Sequence, residues 1–295
     1  MYAGCDLGAV TARVVVIEDD AIVSSETMPY KKLPVQAAVE AFEKALSKAN
    51  LSQDQIDYCV ATGFGKKAVP YANADSAEVV CLNRAFRLLN TDVRTVIDAG
   101  GQSMRAINFN EKGKVLDSTV NEKCAAGTGR FIEVMAKALE LPIGEVSALA
   151  FESKDPVAIT SQCGVFAESE VITYVNGGRD RADIVAGIAR SVAAKVSSLV
   201  RRISLEEEVA MVGGVALNAG VRKYVEEDLG VECGQTMHDP PTILQRGPGR
   251  LGHQPRVGRL EGTLPVERLD ANLLRPVEEE TARHREPAEI AIDVA

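Results

Sequence analysis

The amino-acid sequence predicts an α/β protein built from two related halves. The first observation is a pattern that occurs twice along the chain, a strand hairpin followed by helices and further strands. The second is the length of 295 residues, which accommodates two ordinary domains. The third is that three predicted buried strands end in glycine-containing turns, DLGAVT (6–11), DAGGQS (98–103) and GGVALN (213–218). We therefore expect a duplicated α/β unit.

The first domain is predicted to span residues 1–94. Short apolar and β-branched runs on either side of an Asp19–Asp20 turn predict three strands. Apolar residues at helical spacing then predict a helix that ends at Asn50, and a buried strand, a glycine loop and a second helix follow. The segments are MYAGCD, TARVVVIE, AIVSSETM, PVQAAVEAFEKALSKAN, DYCVATGFG and AEVVCLNRAFRLL. The helical spacing of the first helix rests on Val35, Val39, Phe42 and Leu46.

The second domain is predicted to span residues 95–232 and to repeat this order. A strand, VRTVIDAGG, precedes a hairpin of SMRAINFN and GKVLDSTV. Three helices, a glycine-ended strand and a final helix follow, in the order GRFIEVMAKALEL, GVFAESEVITYVN, ADIVAGIARSVAAKVSSLVRRI, EVAMVGG and ALNAGVRKYVEEDL. The first of these helices should bury Phe131, Met135 and either Ala138 or Leu139 on one face. Residues 233–295 are rich in Gly, Pro and Arg, so we expect an irregular tail.

Composition narrows the functional classes. A net charge of -9 argues against a nucleic-acid-binding protein, which needs a concentrated basic face. No apolar run approaches the roughly 20 residues of a membrane-spanning helix, and the N-terminal residues lack the pattern of a signal peptide. The sequence therefore predicts a cytoplasmic protein without a membrane partner. Six cysteines without a CxxC pair argue against a disulfide framework and a zinc ribbon, and Cys59 and Cys81 lie in apolar, core-like settings.

The three glycine turns are suited to holding phosphate. Glycine lets backbone N–H groups approach phosphate oxygens closely, since it has no Cβ. Asp6 and Asp98 directly precede two of the turns and could hold Mg²⁺ against those phosphates. One such turn alone is a weak signal, but three at strand ends predict a nucleotide cleft between two related halves. A P-loop is excluded because the chain contains no GxxxxGK[ST] motif.

Two cysteines are placed differently from the others. Cys124 and Cys163 each lie directly before a predicted helix, in NEKCAAGTGRF and SQCGVFAES. A helix N-terminus carries partial positive charge and free N–H donors, which stabilise a thiolate or a nearby anion. A thiolate ligand of an iron–sulfur cluster fits this setting, and so does an ordinary buried or helix-capping cysteine. The residues alone leave both interpretations open.

The motifs resemble those of a known superfamily. The order CDLGAVTARVVVIE, DAGGQ and AMVGGVALNAGV is similar to the phosphate-1, phosphate-2 and adenosine motifs of the actin, sugar kinase and heat-shock chaperone ATPases. NEKCAAGTGRFIEVMA and SQCGVFAESEVI resemble the BadF/BadG/BcrA/BcrD ATPase family, over roughly residues 2–232. The resemblance implies duplicated ribonuclease H-like domains. It also implies the site residues, which are Asp6, Gly8 and Thr11 in the first loop, Asp98, Gly100, Gly101 and Gln102 in the second, Gly213, Gly214 and Asn218 in the third, and the cluster ligands Cys124 and Cys163.

The resemblance further implies a function. Members of that family use ATP with Mg²⁺ to drive a low-potential electron from a 4Fe–4S cluster, shared between two subunits, into a CoA-thioester enzyme. We expect Asp6 and Asp98 to position Mg²⁺ and water, and Gln102 to position the attacking water. The expected partners are a second copy or a paralogous subunit, a ferredoxin-like electron donor, and a benzoyl-CoA reductase or a 2-hydroxyacyl-CoA dehydratase.

Two departures from the family pattern shape the remaining expectations, one in the first loop and one in the tail. In the tail, QRGPGRLGHQPRVGRLEG stands where the family usually has an apolar closing helix. Ala9 and Val10 stand where hydroxyl residues are usual, and Arg13 stands in place of a lysine. The unusual loop DLGAVTARV favours a benzoyl-CoA reductase subunit, with a dehydratase activator as the alternative. A small-molecule kinase and a regulatory nucleotide-binding subunit of the same fold are the more remote alternatives.

Overall fold

The computed structural model describes residues 1–19, 21–30, 33–88, 92–121, 127–160 and 163–234. The chain divides into two compact units, the second of which begins at Asp92. Each unit contains one five-stranded sheet. The irregular tail predicted from residue 233 lies outside the described residues beyond Gly234. In the described part of the chain, no helix combines the length and the apolarity that a membrane span requires.

The first unit is a sheet with its main helix on one face. Its elements are β1 (Tyr2–Leu7), β2 (Thr11–Glu18), β3 (Ala21–Pro29), α1 (Pro34–Lys48), β4 (Tyr58–Thr62), β5 (Ala74–Asp75) and α2 (Glu78–Leu88). The strand order is β3-β2-β1-β4-β5, in which β1 is antiparallel to β2 and parallel to β4. Phe42 and Leu46 of α1 are buried as expected, but Val35 is exposed. Small residues, Ala37, Ala38, Ala41 and Ala45, form the rest of the buried face of α1.

The second unit repeats the arrangement of the first. Its elements are β6 (Thr95–Ala99), β7 (Met104–Phe109), β8 (Val115–Asn121), α3 (Gly129–Ala138), α4 (Ile143–Leu149), α5 (Gly164–Asn176), α6 (Arg181–Val200), β9 (Val209–Val212), α7 (Ala219–Leu229) and β10 (Cys233–Gly234). The strand order is β8-β7-β6-β9-β10, and β6 is antiparallel to β7 and parallel to β9. Each central strand thus has the same neighbours in the same directions. This correspondence confirms the predicted α/β fold with duplicated ribonuclease H-like domains.

The core of the second unit forms around α6. Most of this helix is buried against the sheet and neighbouring helices, and Asp180 caps its N-terminus by accepting a hydrogen bond from the Ala182 amide at 2.8 Å. Phe131, Met135 and Leu139 of the α3 region lie in the same core, so Leu139 rather than Ala138 completes that face. The packing of this apolar face therefore fixes the position of α3 and of its N-terminus.

Asp183, in the first turn of α6, holds the non-helical segment that precedes α5. One carboxylate oxygen accepts hydrogen bonds from the Asp155 amide at 2.8 Å, the Ser153 hydroxyl at 2.7 Å and the Lys154 amide at 3.0 Å. The Val157 amide donates to the Asp183 backbone carbonyl at 3.1 Å. Hydrogen bonds from Asp155 and then from Ser153 hold the pKa of the Asp183 carboxyl below its ordinary value.

Replacing Asp183 by asparagine should lower the free energy of unfolding at pH 7, because a neutral amide oxygen is a weaker acceptor than a carboxylate. The pKa of Asp183 is lower in the folded chain than the roughly 4 expected of an unfolded one. Its contribution is therefore present above about pH 4 and is lost as the pH falls through the folded-state pKa. Urea unfolding of wild type and Asp183→Asn at pH 7 and near pH 3 measures this difference.

The matched control is Asp228→Asn, a change of the same chemistry at an exposed position of α7. We expect this control to follow the wild-type pH dependence. Equal pH dependence of Asp183→Asn and Asp228→Asn would show that the Asp183 carboxylate contributes nothing as an anion.

Candidate functional site

The first glycine turn joins β1 to β2 in the first unit. The Gly8 amide donates to the Thr11 carbonyl at 3.0 Å, which closes a tight turn between the paired residues Leu7 and Ala12. Asp6 lies on β1 directly before the turn, and its carboxylate accepts a hydrogen bond from Arg13 at 3.1 Å. The predicted residues Asp6, Gly8 and Thr11 are thus brought together at one end of the first sheet.

The second glycine turn has the same construction in the second unit. The Gly100 amide donates to the Ser103 carbonyl at 2.9 Å, and the turn connects β6 to β7. Asp98 accepts a hydrogen bond from Arg105 at 3.4 Å. Gly101 and Gln102 form the tip of the turn, where Gln102 is exposed. The second turn therefore presents backbone N–H groups, a carboxylate and a carboxamide at one sheet edge.

The start of α3 is hydrogen-bonded directly to this second turn. The Gly129 amide donates to the Gly100 carbonyl at 3.0 Å, and the Arg130 amide donates to the Gly101 carbonyl at 2.8 Å. Donors at the N-terminus of a helix have no partner within the helix, so the turn supplies acceptors that α3 itself lacks. Gly129 follows Cys124 by five positions in the sequence, so the predicted phosphate turn is hydrogen-bonded to the helix that comes after the cysteine motif.

The third glycine turn packs against the second. Gly213 follows β9 with a φ of +84°, and a Cβ at this position would lie 2.5 Å from the Ala99 carbonyl oxygen and 3.0 Å from an Asp98 carboxylate oxygen. Gly214 has open space where a Cβ would be placed. Asn218 caps α7, since its side-chain oxygen accepts a hydrogen bond from the Val221 amide at 3.0 Å. The structure thus brings Asp98, Gly100, Gly101, Gly213 and Gly214 together, and gives Asn218 a capping role.

Cys163 is the N-cap residue of α5, and its side chain is exposed. Cys124, the other predicted cluster ligand, lies outside the described residues. An exposed thiol at a helix N-terminus has the surroundings that a thiolate ligand of an iron–sulfur cluster needs. Within the described residues no group of three or more metal-ligating side chains is assembled. Cys163 therefore has the exposure and the position that one ligand of such a cluster needs.

The other described cysteines have different surroundings. Cys5, Cys59, Cys81 and Cys233 are buried, which confirms the core interpretation of Cys59 and Cys81. Burial raises the pKa of the Cys5 thiol to about 11 and that of the Cys233 thiol to about 12. These thiols stay protonated at neutral pH, whereas Cys163 is open to solvent.

Several residues of the site were not predicted from the sequence. Arg105 mirrors Arg13, and each arginine lies seven residues after the aspartate that it contacts. That repeated spacing, D-x₆-R, is a signal that inspection of the two turns together could have detected. Gly63 has a φ of +86°, and a Cβ there would collide with the Asp6 carboxylate and approach the Leu7 carbonyl oxygen to 2.7 Å. The glycine loop after β4 therefore packs closely against Asp6 and Leu7, the residues that precede the first turn.

The chain is similar in sequence to known proteins over most of its length. The sequence profile of the BadF/BadG/BcrA/BcrD ATPase family matches residues 3–241. The chain is 38% identical over 234 residues to the 2-hydroxyisocaproyl-CoA dehydratase activator of Clostridioides difficile, covering 79% of this chain and 88% of the activator. It is 30% identical over 197 residues to a benzoyl-CoA reductase subunit of Thauera aromatica, covering 66% of this chain and 70% of that relative.

A solved structure gives the same result for the fold. The activator of the 2-hydroxyisocaproyl-CoA dehydratase from Clostridium difficile, with bound ADPNP, superimposes with a TM-score of 0.75 at 36% sequence identity. The match covers 80% of this chain and 87% of that structure. Both kinds of comparison therefore extend over most of the chain.

Gly213→Ala should destabilise the second unit, because the new Cβ meets the Ala99 carbonyl and φ is +84°. We expect a loss of roughly 1–3 kcal/mol in the free energy of unfolding, measured in urea. Gly214→Ala is the matched control, since nothing lies within 4 Å of its Cβ position. Equal stabilities of the two variants would contradict the close approach of the third turn to the second.

Proposed function

Because the chain belongs to the BadF/BadG/BcrA/BcrD ATPase family, we propose that it couples ATP hydrolysis to electron transfer into a CoA-thioester enzyme. One electron, accepted from a ferredoxin-like donor, passes at low potential to that partner. The observation that carries the proposal is the pair of hydrogen bonds from Gly129 and Arg130 to the Gly100–Gly101 turn, at 3.0 and 2.8 Å. A change in the turn on nucleotide hydrolysis would move the start of α3, and with it the cysteine motif.

Our proposal takes a 2-hydroxyacyl-CoA dehydratase as the partner. The dehydratase activator of Clostridioides difficile is 38% identical to the chain, against 30% for the benzoyl-CoA reductase subunit of Thauera aromatica. The expectation of a benzoyl-CoA reductase component, drawn from the unusual first loop, is not supported by these identities. Ala9 and Val10 leave the turn intact, since the Gly8–Thr11 hydrogen bond matches the Gly100–Ser103 bond of the second turn. The altered loop therefore says little about the partner.

The proposed nucleotide site uses the three turns. Backbone N–H groups at Thr11, Gly101, Gly213 and Gly214 are the candidate phosphate contacts. Gly8 and Gly100 donate their own N–H groups to close the first two turns, and their lack of a Cβ leaves room for a phosphate. When bound, Mg²⁺ would neutralise phosphate charge and polarise the attacked phosphorus, with Asp6 and Asp98 as the carboxylates that hold it. Gln102, at the exposed tip of the second turn, is the candidate for positioning the attacking water. Asn218 keeps its proposed place beside the nucleotide in addition to capping α7.

Each of the two aspartates is already accompanied by a cation. Arg13 is 20% exposed and Arg105 7% exposed, and each donates a hydrogen bond to its aspartate. In this partly buried position the arginine holds the carboxylate in one orientation. Arginine also remains charged at any physiological pH, so the same groups favour the approach of a phosphate chain.

The proposed cluster site is completed by a second subunit. A 4Fe–4S cluster takes four thiolates and supplies a one-electron redox centre of low potential. Cys124 and Cys163 provide two per chain, so a two-fold pair of chains, either identical or paralogous, completes the set. Val165 and Phe166, both 69% exposed beside Cys163, offer apolar surface for that second chain to cover. The cytoplasmic location expected from the sequence stays a prediction.

The cluster proposal predicts about four irons and four sulfides per dimer after anaerobic purification. Cys163→Ser should lose most of this iron, because serine is a poor ligand for iron in such a cluster. Cys233→Ser is the matched control, since Cys233 lies buried in the core of the same unit. Iron content that is the same in both variants, or absent from the wild type after reconstitution, would contradict the cluster assignment.

The partner proposal is tested by activation in vitro. With ATP, Mg²⁺ and a strong one-electron reductant, the chain should activate the dehydratase component of 2-hydroxyisocaproyl-CoA dehydratase, measured as dehydration of the hydroxyacyl-CoA. Omitting ATP should abolish the activation. Activation of benzoyl-CoA reduction instead would assign the chain to the other branch of the family, and ATP-independent activation would remove the proposed coupling.

A further inference from the structure

The non-helical segment at residues 153–160 is bound on both sides by helices of the second unit. Its first part is held by Asp183 of α6. Val157 is buried against Gly187 of the same helix, where a Cβ on residue 187 would collide with Val157. The Tyr174 hydroxyl of α5 donates to the Ala158 carbonyl at 2.9 Å. The segment is therefore hydrogen-bonded to both α6 and α5, and it precedes α5 in the chain.

Glu170 of α5 accepts hydrogen bonds from Thr160, which belongs to the segment that precedes Cys163. Both carboxylate oxygens of Glu170 accept from the Thr160 amide at 3.1 Å, and one also accepts from the Thr160 hydroxyl at 3.0 Å. Hydrogen bonds to a carboxylate are stronger than those between neutral groups. Thr160 lies three positions before Cys163, and Glu170 lies seven positions after it on the helix that Cys163 caps. These bonds therefore link a residue three positions before Cys163 to the helix that Cys163 caps.

The first turn of α5 has little else to hold it. Ala167 and Val171 are the buried residues of this helix, and both follow the first turn or lie at its end. Val165 and Phe166 in the first turn are each 69% exposed. A helix end with so little apolar burial tends to fray. The Thr160–Glu170 bonds can oppose fraying, because three residues of chain span at most about 11 Å and so limit how far the helix start moves.

We propose that Glu170 is a positioning residue, which holds the Cys163 thiol in place by fixing Thr160 against α5. The proposal rests on the proposed function, in which Cys163 is a cluster ligand. A thiolate ligand must be held within a few tenths of an ångström for a cluster to keep one geometry and one set of electronic properties. Glu170 performs this role at a distance, without itself touching the cluster.

The variants separate this role from a general effect on stability. Glu170→Ala removes all the acceptors, and Thr160→Val removes only the hydroxyl donor without a change of charge. Thr160→Ser restores that donor and should restore wild-type behaviour. Thr173→Val is the matched control on the same helix, because the Thr173 hydroxyl bonds only to the Ser169 carbonyl within α5 in the described hydrogen bonds.

The first measurement uses the full-length chain without a cluster. Amide hydrogen exchange over the first turn of α5 should accelerate about fivefold in Glu170→Ala and about twofold in Thr160→Val, as expected for loss of one to two hydrogen bonds. Alkylation of Cys163, followed by peptide mass spectrometry, should change in the same order. Exchange in Thr160→Ser and Thr173→Val should match the wild type. Unchanged exchange in Glu170→Ala would overturn the positioning role.

The second measurement uses the anaerobically reconstituted dimer. The electron paramagnetic resonance spectrum of the reduced protein should be shifted or broadened in Glu170→Ala and in Thr160→Val, and should match the wild type in Thr160→Ser and Thr173→Val. Wild-type protein that binds no iron would overturn the proposed function, while the exchange data would still decide what Glu170 does to α5. Normal iron with identical spectra in all variants would overturn the positioning proposal alone. If Glu170→Ala fails to fold, the Thr160 pair gives the same decision.

Discussion

The proposed coupling depends on the contact between the second glycine turn and the start of α3. Two backbone amides, of Gly129 and Arg130, donate to two carbonyls of the turn, of Gly100 and Gly101, at 3.0 and 2.8 Å. Backbone bonds of this kind depend on chain geometry rather than on side chains, so any shift of the turn is passed to the helix. Gly213 limits the shifts that the second turn can make, because it packs so closely against Ala99 that even a Cβ would not fit between them. The second glycine turn and the start of α3 are thereby held together.

The two units use the same electrostatic arrangement at equivalent places. In each unit a strand-end aspartate is paired across the hairpin with an arginine, as Asp6 with Arg13 and Asp98 with Arg105. A partly shielded carboxylate is costly unless a cation or hydrogen-bond donors accompany it. Both units therefore contain the carboxylate, its arginine partner and the hydrogen bond that closes the turn. Ala9 and Val10, which stand inside the first turn where hydroxyl residues are usual, leave this arrangement unchanged.

Much of the fold and part of the site could be predicted from the sequence. Most of the strands and helices along the chain, and the three glycine turns, follow from local apolar runs and turn residues and are present, whereas the pairing of strands within each sheet was not predicted. Helical spacing misjudged Val35, because alanines let α1 approach the sheet closely and take the buried face. Arg105 was missed because its pairing with Asp98 depends on strand register, which becomes visible in the sequence only when the two D-x₆-R segments are compared. The contact of Glu170 with Thr160 could not be predicted from the sequence either, because it depends on how the segment at residues 153–160 packs along α5.

The most direct test of the central claim is a redox titration of the reconstituted dimer, monitored by electron paramagnetic resonance. Titrations are run without nucleotide, with Mg²⁺–ADP, and with Mg²⁺ and a non-hydrolysable ATP analogue. If the phosphate turn and the cysteine motif move together, the midpoint potential or the spectrum will differ between the ADP and the ATP-analogue states. Identical potentials and spectra in all three states, with nucleotide binding shown independently, would contradict the coupling.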